Sequence, residues 1–187
     1  MKDLIVYWGP FIDKVATVKA ILNSAYGINK YSKKYKSVIL NAAGEWNNYK
    51  GKINTEIYDL ENSNYINTLP KFSYLKSRLS YLTIFIRSFF KLKKYLIEKR
   101  PKYLIIHLIV SLPLILFLIF KFKTKLCLRI SGLPKFNFFR KILWKICNKK
   151  IFKVFCPTIA TLNKLKEENI FDHSKLYYLP DPIISVK

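Results

Sequence analysis

Short apolar runs dominate this sequence. Three of them stop at or near a glycine, and longer stretches with helical spacing separate most of them. Leu4–Trp8 ends at Gly9-Pro10, Ser37–Asn41 ends near Gly44, and Lys125–Ile130 ends at Ser131-Gly132. Thr55–Leu60, Tyr103–Ile109, Lys153–Cys156 and Leu176–Leu179 are runs of the same kind, the last closed by Pro180-Asp181-Pro182. Between them, Val15–Tyr31 places Val15, Val18, Ile21, Leu22, Ala25 and Ile28 on one helical face. Phe72–Glu98, Phe139–Asn148 and the stretch from Thr158 to Glu168 also read as helices. Strands that are apolar on both faces need cover on both faces, and strands separated by helices pair in parallel. The expectation is an α/β chain: a Rossmann-like, doubly wound, mostly parallel sheet with helices on both faces. The loop Glu61–Pro70, rich in Asn and Ser, reads as the most flexible stretch.

Tyr103–Phe120 is nearly all apolar and about as long as a membrane span requires. His107, Ser111 and Pro113 interrupt it. Ser111 suits a helix N-cap and Pro113 a first turn, which divides the run into a strand and a helix over Pro113–Phe122. A non-enzymatic membrane protein with a single span over 103–120 remains the competing reading.

Charge narrows the partners. Lys and Arg total 34 and Asp and Glu total 11, a formal charge of +23. Between Glu61 and Glu167 the one acidic residue is Glu98, so the excess sits mid-chain. Such a chain favours an anionic partner, although genome composition bias is an equal source of the lysines. Only five of the cations are Arg. Base-edge readers favour the planar Arg fork, so no nucleic-acid partner is expected, with a basic nucleic-acid-binding module kept as an alternative. Cys127, Cys147 and Cys156 are scattered, without zinc spacing, and fit a reduced compartment. Leu4–Trp8 is too short for a signal-peptide core.

Ligands of open α/β sheets bind beyond the carboxyl ends of the strands. The residues expected there are Gly9, Pro10, Asp13 and Lys14 after the first strand, and Gly44, Glu45 and Trp46 after the second. His107 lies near the end of the fourth, and Arg129, Ser131 and Gly132 close the fifth. The glycines serve as turn punctuation or as points of close backbone approach to a ligand; His107 is either a core histidine or a catalyst. There is no GxGxxG, no Walker A sequence, no GxSxG elbow and no close carboxylate pair, which disfavours nicotinamide, nucleotide-hydrolysing, esterase and glycosidase chemistry. In Phe72–Glu98 a polar stripe runs through Lys76, Ser80, Thr83, Arg87, Lys91, Lys94 and Glu98 beside a broad apolar arc. That pattern fits a helix in a bilayer interface, with Arg87, Lys91 and Lys94 as the membrane contacts.

Five motifs in order resemble a known family. They are Gly9-Pro10-Phe11, Gly44-Glu45-Trp46, Arg129 to Lys135, Cys156-Pro157-Thr158 and Leu179-Pro180-Asp181-Pro182. Together they resemble the N-terminal domain of the family-four glycosyltransferases of cell-surface polysaccharide synthesis. The resemblance implies a GT-B enzyme of two Rossmann-like domains. Residues 1–182 would be the acceptor-side domain and 183–187 the start of an interdomain linker. The donor domain, with its Glu-x7-Glu motif, has no counterpart here and would come from a further domain or a partner chain. The implied chemistry is transfer of a sugar from a nucleotide-sugar donor to a hydroxyl of a glycan acceptor, lipid-linked, with retention and with no metal or other cofactor. His107 would lie near the reacting sugar, the Gly9–Lys14 loop near the diphosphate or acceptor, and Arg129 and Ser131 along the cleft. The setting implied is the cytoplasmic, inner face of the cell membrane, as a peripheral protein that is inactive as this chain alone.

Overall fold

The computed structural model describes residues 2–13, 15–61, 64–70, 74–134 and 136–183, with side chains in the long central helix described from Arg78 onward. Seven strands, β1 (Asp3–Trp8), β2 (Tyr35–Asn41), β3 (Glu56–Asp59), β4 (Tyr103–Ile106), β5 (Lys125–Arg129), β6 (Ile151–Cys156) and β7 (Leu176–Tyr178), form one sheet. Its order is β3-β2-β1-β4-β5-β6-β7 and every pairing is parallel. The helices are α1 (Ala16–Tyr31), α2 (Tyr74–Lys99), α3 (Ser111–Ile119), α4 (Phe138–Cys147) and α5 (Ile159–Glu167).

Two cores, one on each face, show why the strands carry no polar alternation. On one face α1 lays Val18, Ile21 and Ala25 over Ile5, Tyr7 and Ile39. On the other, α2 to α5 bury Ile84, Leu92, Leu112, Leu116, Trp144 and Leu165 against Val6, Leu104, Leu126, Leu128 and Val154. Burial on both faces is what selects continuous apolar runs in a parallel sheet.

Helix ends follow local chemistry. The Asn137 side chain accepts from Arg140 N–H to cap α4, and Thr158 accepts from Thr161 N–H to cap α5. Arg100 (φ 44°) and Asn169 (φ 46°) turn left-handed just beyond α2 and α5, and Pro101 bars continuation of α2.

The long apolar run over 103–120 resolves into β4 and α3, not one helix. The strand stops at Ile106, earlier than the apolar pattern suggests, and Ile109 takes φ 47° to turn the chain. That conformation is costly for a β-branched residue. Ser111 begins α3 without making a side-chain cap. Among the described residues, no helix is long and apolar enough to cross a membrane. The 61–70 loop also differs from expectation where it is described. Tyr65, Ile66 and Leu69 are buried, and the Tyr65 and Ile66 amides both donate to Ala43 O.

Candidate functional site

The strand order reverses direction between β1 and β4. The chain leaves β1 through α1 toward β2, whereas β4 proceeds the other way to β5. The loops following these neighbouring strands therefore diverge and leave a crevice at the carboxyl edge. A cleft of about 700 Å³ occupies that place. Its walls are the loop after β1 (Pro10 to Asp13), the loop after β4 (His107 to Ser111) and the end of β5 with its loop (Leu128 to Pro134). Tyr81 of α2 and the first turns of α4 close the sides.

Gly9 makes the crowding at the floor possible. A Cβ at Gly9 would stand 2.4 Å from Ile21 Cδ1 and 3.6 Å from His107 Cβ. His107 is held by its backbone N–H, which donates to Trp8 O at 2.9 Å. The Trp8 indole N–H then donates to Ile109 O at 3.2 Å and secures the turn beyond it. The His107 ring is buried and stands 5.9 Å from the Tyr7 ring. Its Nδ1 has no hydrogen-bond partner. Burial first, and the Arg129 charge second, depress its pKa to about 3. The imidazole is therefore neutral at physiological pH: a hydrogen-bonding group rather than a strong base. Arg129, also buried, ion-pairs through Nη2 with the half-exposed Asp181 carboxylate. Trp144 Nε1 is a second buried polar atom without a partner at the cleft wall. Orphaned polar atoms of this kind cost about 1–3 kcal/mol each until a ligand or water meets them.

Of the residues anticipated from sequence, Pro10, Asp13, His107, Arg129, Ser131 and Gly132 line this cleft, and Gly9 lies beneath it. Lys14 lies outside the described residues. Gly44 and Glu45 follow β2 at the same edge of the sheet but do not line the cleft. Gly44 has φ +99°, which favours glycine, and packs against Asn64. Glu45 folds back on its own loop, accepting from Ala42 N–H at 3.0 Å and Ala43 N–H at 2.7 Å. Burial outweighs those two bonds and pushes its pKa up to about 7. On α2, Arg87 and Lys91 converge on Glu61 (3.1 and 2.8 Å), Arg87 also stacking on the Tyr65 ring, while Lys94 lies 3.8 Å from Glu98. Ser80, taken from sequence as part of that polar stripe, is buried and donates to Pro70 O.

Sequence reasoning missed the far wall: Tyr81, Phe139, Arg140 and Trp144. The signal was Asn137, an N-cap residue set just after the fifth strand's loop, which orients the start of α4 toward the carboxyl edge. Among the described residues, no group of His, Cys, Asp or Glu is placed to hold a metal ion.

No protein-family model and no curated protein matches the sequence. Solved structures do match it in shape. Anabaena Alr3699/HepE in complex with UDP aligns with a TM-score of 0.56 at 9% identity, over 98% of this chain and 44% of that one. The UDP-N-acetylglucosamine 2-epimerase from Rickettsia bellii aligns at 0.58 and 13% identity, over 97% and 45%. The lipopolysaccharide outer core galactosyltransferase WaaB, in its apo form, aligns at 0.59 and 12% identity, over 96% and 46%. The chain thus spans about half the length of the structures it matches. At such identities the likeness speaks for fold alone: this chain has the Rossmann-like α/β fold of one half of a GT-B architecture.

Proposed function

We propose that this chain is the acceptor-side half of a glycosyltransferase. It would work with a donor-side domain to move a sugar from a nucleotide-sugar to a hydroxyl of a lipid-linked glycan at the inner face of the cell membrane. The observation that carries this reading is the convergence of the loops after β1, β4 and β5 on one cleft at the switch point, with a neutral His107 and a buried Arg129 in its wall. In this reading the imidazole hydrogen-bonds a hydroxyl of the reacting sugar or acceptor. Arg129 supplies positive potential toward the departing diphosphate, a charge that strengthens in the transition state. Residues 1–182 form the acceptor domain, and the ordered motifs that resemble family-four enzymes support that division and a retaining outcome.

The test is genetic and enzymatic. Deleting the gene should alter the surface-glycan profile of the source cell. Wild type should restore it, and His107→Ala should restore it poorly. Purified chain 1–187 incubated with labelled nucleotide-sugars and membrane lipid extract should give no transfer by itself. An unchanged glycan profile on deletion overturns the reading. So does robust transfer by the isolated chain, or epimerisation of the nucleotide-sugar without transfer.

A further inference from the structure

α4 turns an apolar face away from the protein. Trp144 and Cys147 are buried, whereas Phe138, Phe139, Ile142 and Ile146 are 72%, 81%, 40% and 57% exposed. With 3.6 residues per turn these four fall within an arc of about 100°. The outward face of a helix on a solvated domain carries the reverse pattern. The same surface continues onto the mouth of the cleft, where Phe139, Leu133 and Tyr81 line the opening while exposed to solvent. Lys145 borders the arc, and Lys149 and Lys150 follow at the helix end, all exposed. From Lys99 to Lys166 the chain carries sixteen Lys or Arg and no acidic residue. A wedge of Phe and Ile edged by lysines, in a segment without one carboxylate, complements an anionic bilayer interface: rings enter the acyl boundary while the ammonium groups reach the phosphates. α2 also exposes Leu79, Leu82, Ile86 and Phe90, but Glu61 ties down Arg87 and Lys91 and cancels one of their two charges.

We propose that the outward face of α4, continuous with the apolar rim of the cleft, docks this protein on an anionic bilayer. The cleft mouth then lies at the lipid surface, and a membrane-embedded acceptor presents its head group to His107 and Arg129 from that side. This delivery step rests on the transfer reading; the docking itself does not.

The experiment is co-sedimentation of the full chain with phosphatidylcholine vesicles, with and without phosphatidylglycerol, over a salt series. Wild type should bind the anionic vesicles and not the neutral ones, and more weakly as salt screens the lysines. The variant Phe138→Ser/Ile142→Ser/Ile146→Ser removes apolar residues outside the cleft wall. It should bind at least about tenfold more weakly, with unchanged circular dichroism and thermal midpoint. Arg87→Gln/Lys91→Gln should bind within about twofold of wild type, since in this docking α2 does not meet the bilayer. Equal binding by wild type and the α4 variant overturns the proposal, as does no binding by either. Loss of binding in the α2 variant alone assigns the surface to α2 and also overturns it. A wild-type dimer on gel filtration that the α4 variant converts to monomer would make the face a contact between copies. No sugar donor enters this assay, so vesicle binding without transfer sinks only the transfer reading. Transfer to a soluble acceptor without vesicle binding sinks only the docking.

Discussion

Two buried titrating groups oppose each other in this domain, and His107→Asn should expose the opposition. The His107 pKa falls from its ordinary 6.5 to about 3. The unfolded chain therefore binds this proton more readily than the folded one, and stability drains away as pH falls below about 6.5, by about 1.4 kcal/mol per unit. Between pH 7 and pH 5 the loss is about 2 kcal/mol. Glu45 behaves in reverse. Its pKa rises from 4.5 to about 7, so the folded protein takes the proton first and gains stability over the same interval, again by about 2 kcal/mol. Wild type should thus show a nearly level free energy of unfolding between pH 5 and 7. The carboxylates with depressed pKa values, Asp3, Glu168 and Asp172, weaken the fold only as pH drops through their ordinary range and below. In His107→Asn only the Glu45 contribution remains, and the variant should be about 2 kcal/mol more stable at pH 5 than at pH 7. Urea denaturation followed by tryptophan fluorescence across that interval measures this directly. A variant profile that runs parallel to wild type would mean that His107 is not held neutral by burial, and the electrostatic description of the cleft would fall with it.

Two further substitutions probe the edge of the sheet. Asn41 Oδ1 accepts from the Gly44 and Trp46 amides, and its Nδ2 donates to Asn47 and Asp59, so Asn41→Ala should cost about 3 kcal/mol in urea melts by stranding buried amides. Gly9→Ala should cost about 1–2 kcal/mol through contact with Ile21 Cδ1, and adding Ile21→Val, which deletes that methyl, should recover part of the loss instead of adding to it.

The sheet was legible in the sequence because both of its faces are covered. Each apolar run that needed two buried faces became a strand, with ends displaced by a residue or two at β2 and β6 and by three at β4. The β4 overrun has a local cause. Leu108, Ile109 and Val110 are as apolar as the strand, and what ends it is a left-handed Ile109 that no periodicity reveals. Site residues were legible where backbone topology alone decides their place, as for Pro10, His107, Arg129 and Gly132 at strand ends. Glu45 illustrates the limit. A carboxylate just past a strand has the same sequence signature whether it faces a ligand or bends back to its own amides two and three residues away. The α2 stripe failed in a similar way: spacing by threes and fours marks a face, but not which neighbour covers it. Ser80 proved to be interior and Glu61, distant in sequence, claimed two of the cations.

The sheet order also bears on how the chain reaches this state. β1 comes first in chain order among these strands and lies in the interior of the sheet, with β2 on one side and β4 on the other. Pairing Ile5 with Ser37 closes a loop of 32 residues, whereas pairing Ile5 with Tyr103 closes one of 98. The longer closure carries about 1 kcal/mol more entropic cost, and it waits until more than half the chain has been synthesised. Until β4 arrives, β1 presents an open apolar edge, and no hairpin exists among these parallel strands to shield it. Folding should be slow for a domain of this length, limited by the long-range β1–β4 pairing. The seam that spans the longer of these two loops is the one over which the cleft opens.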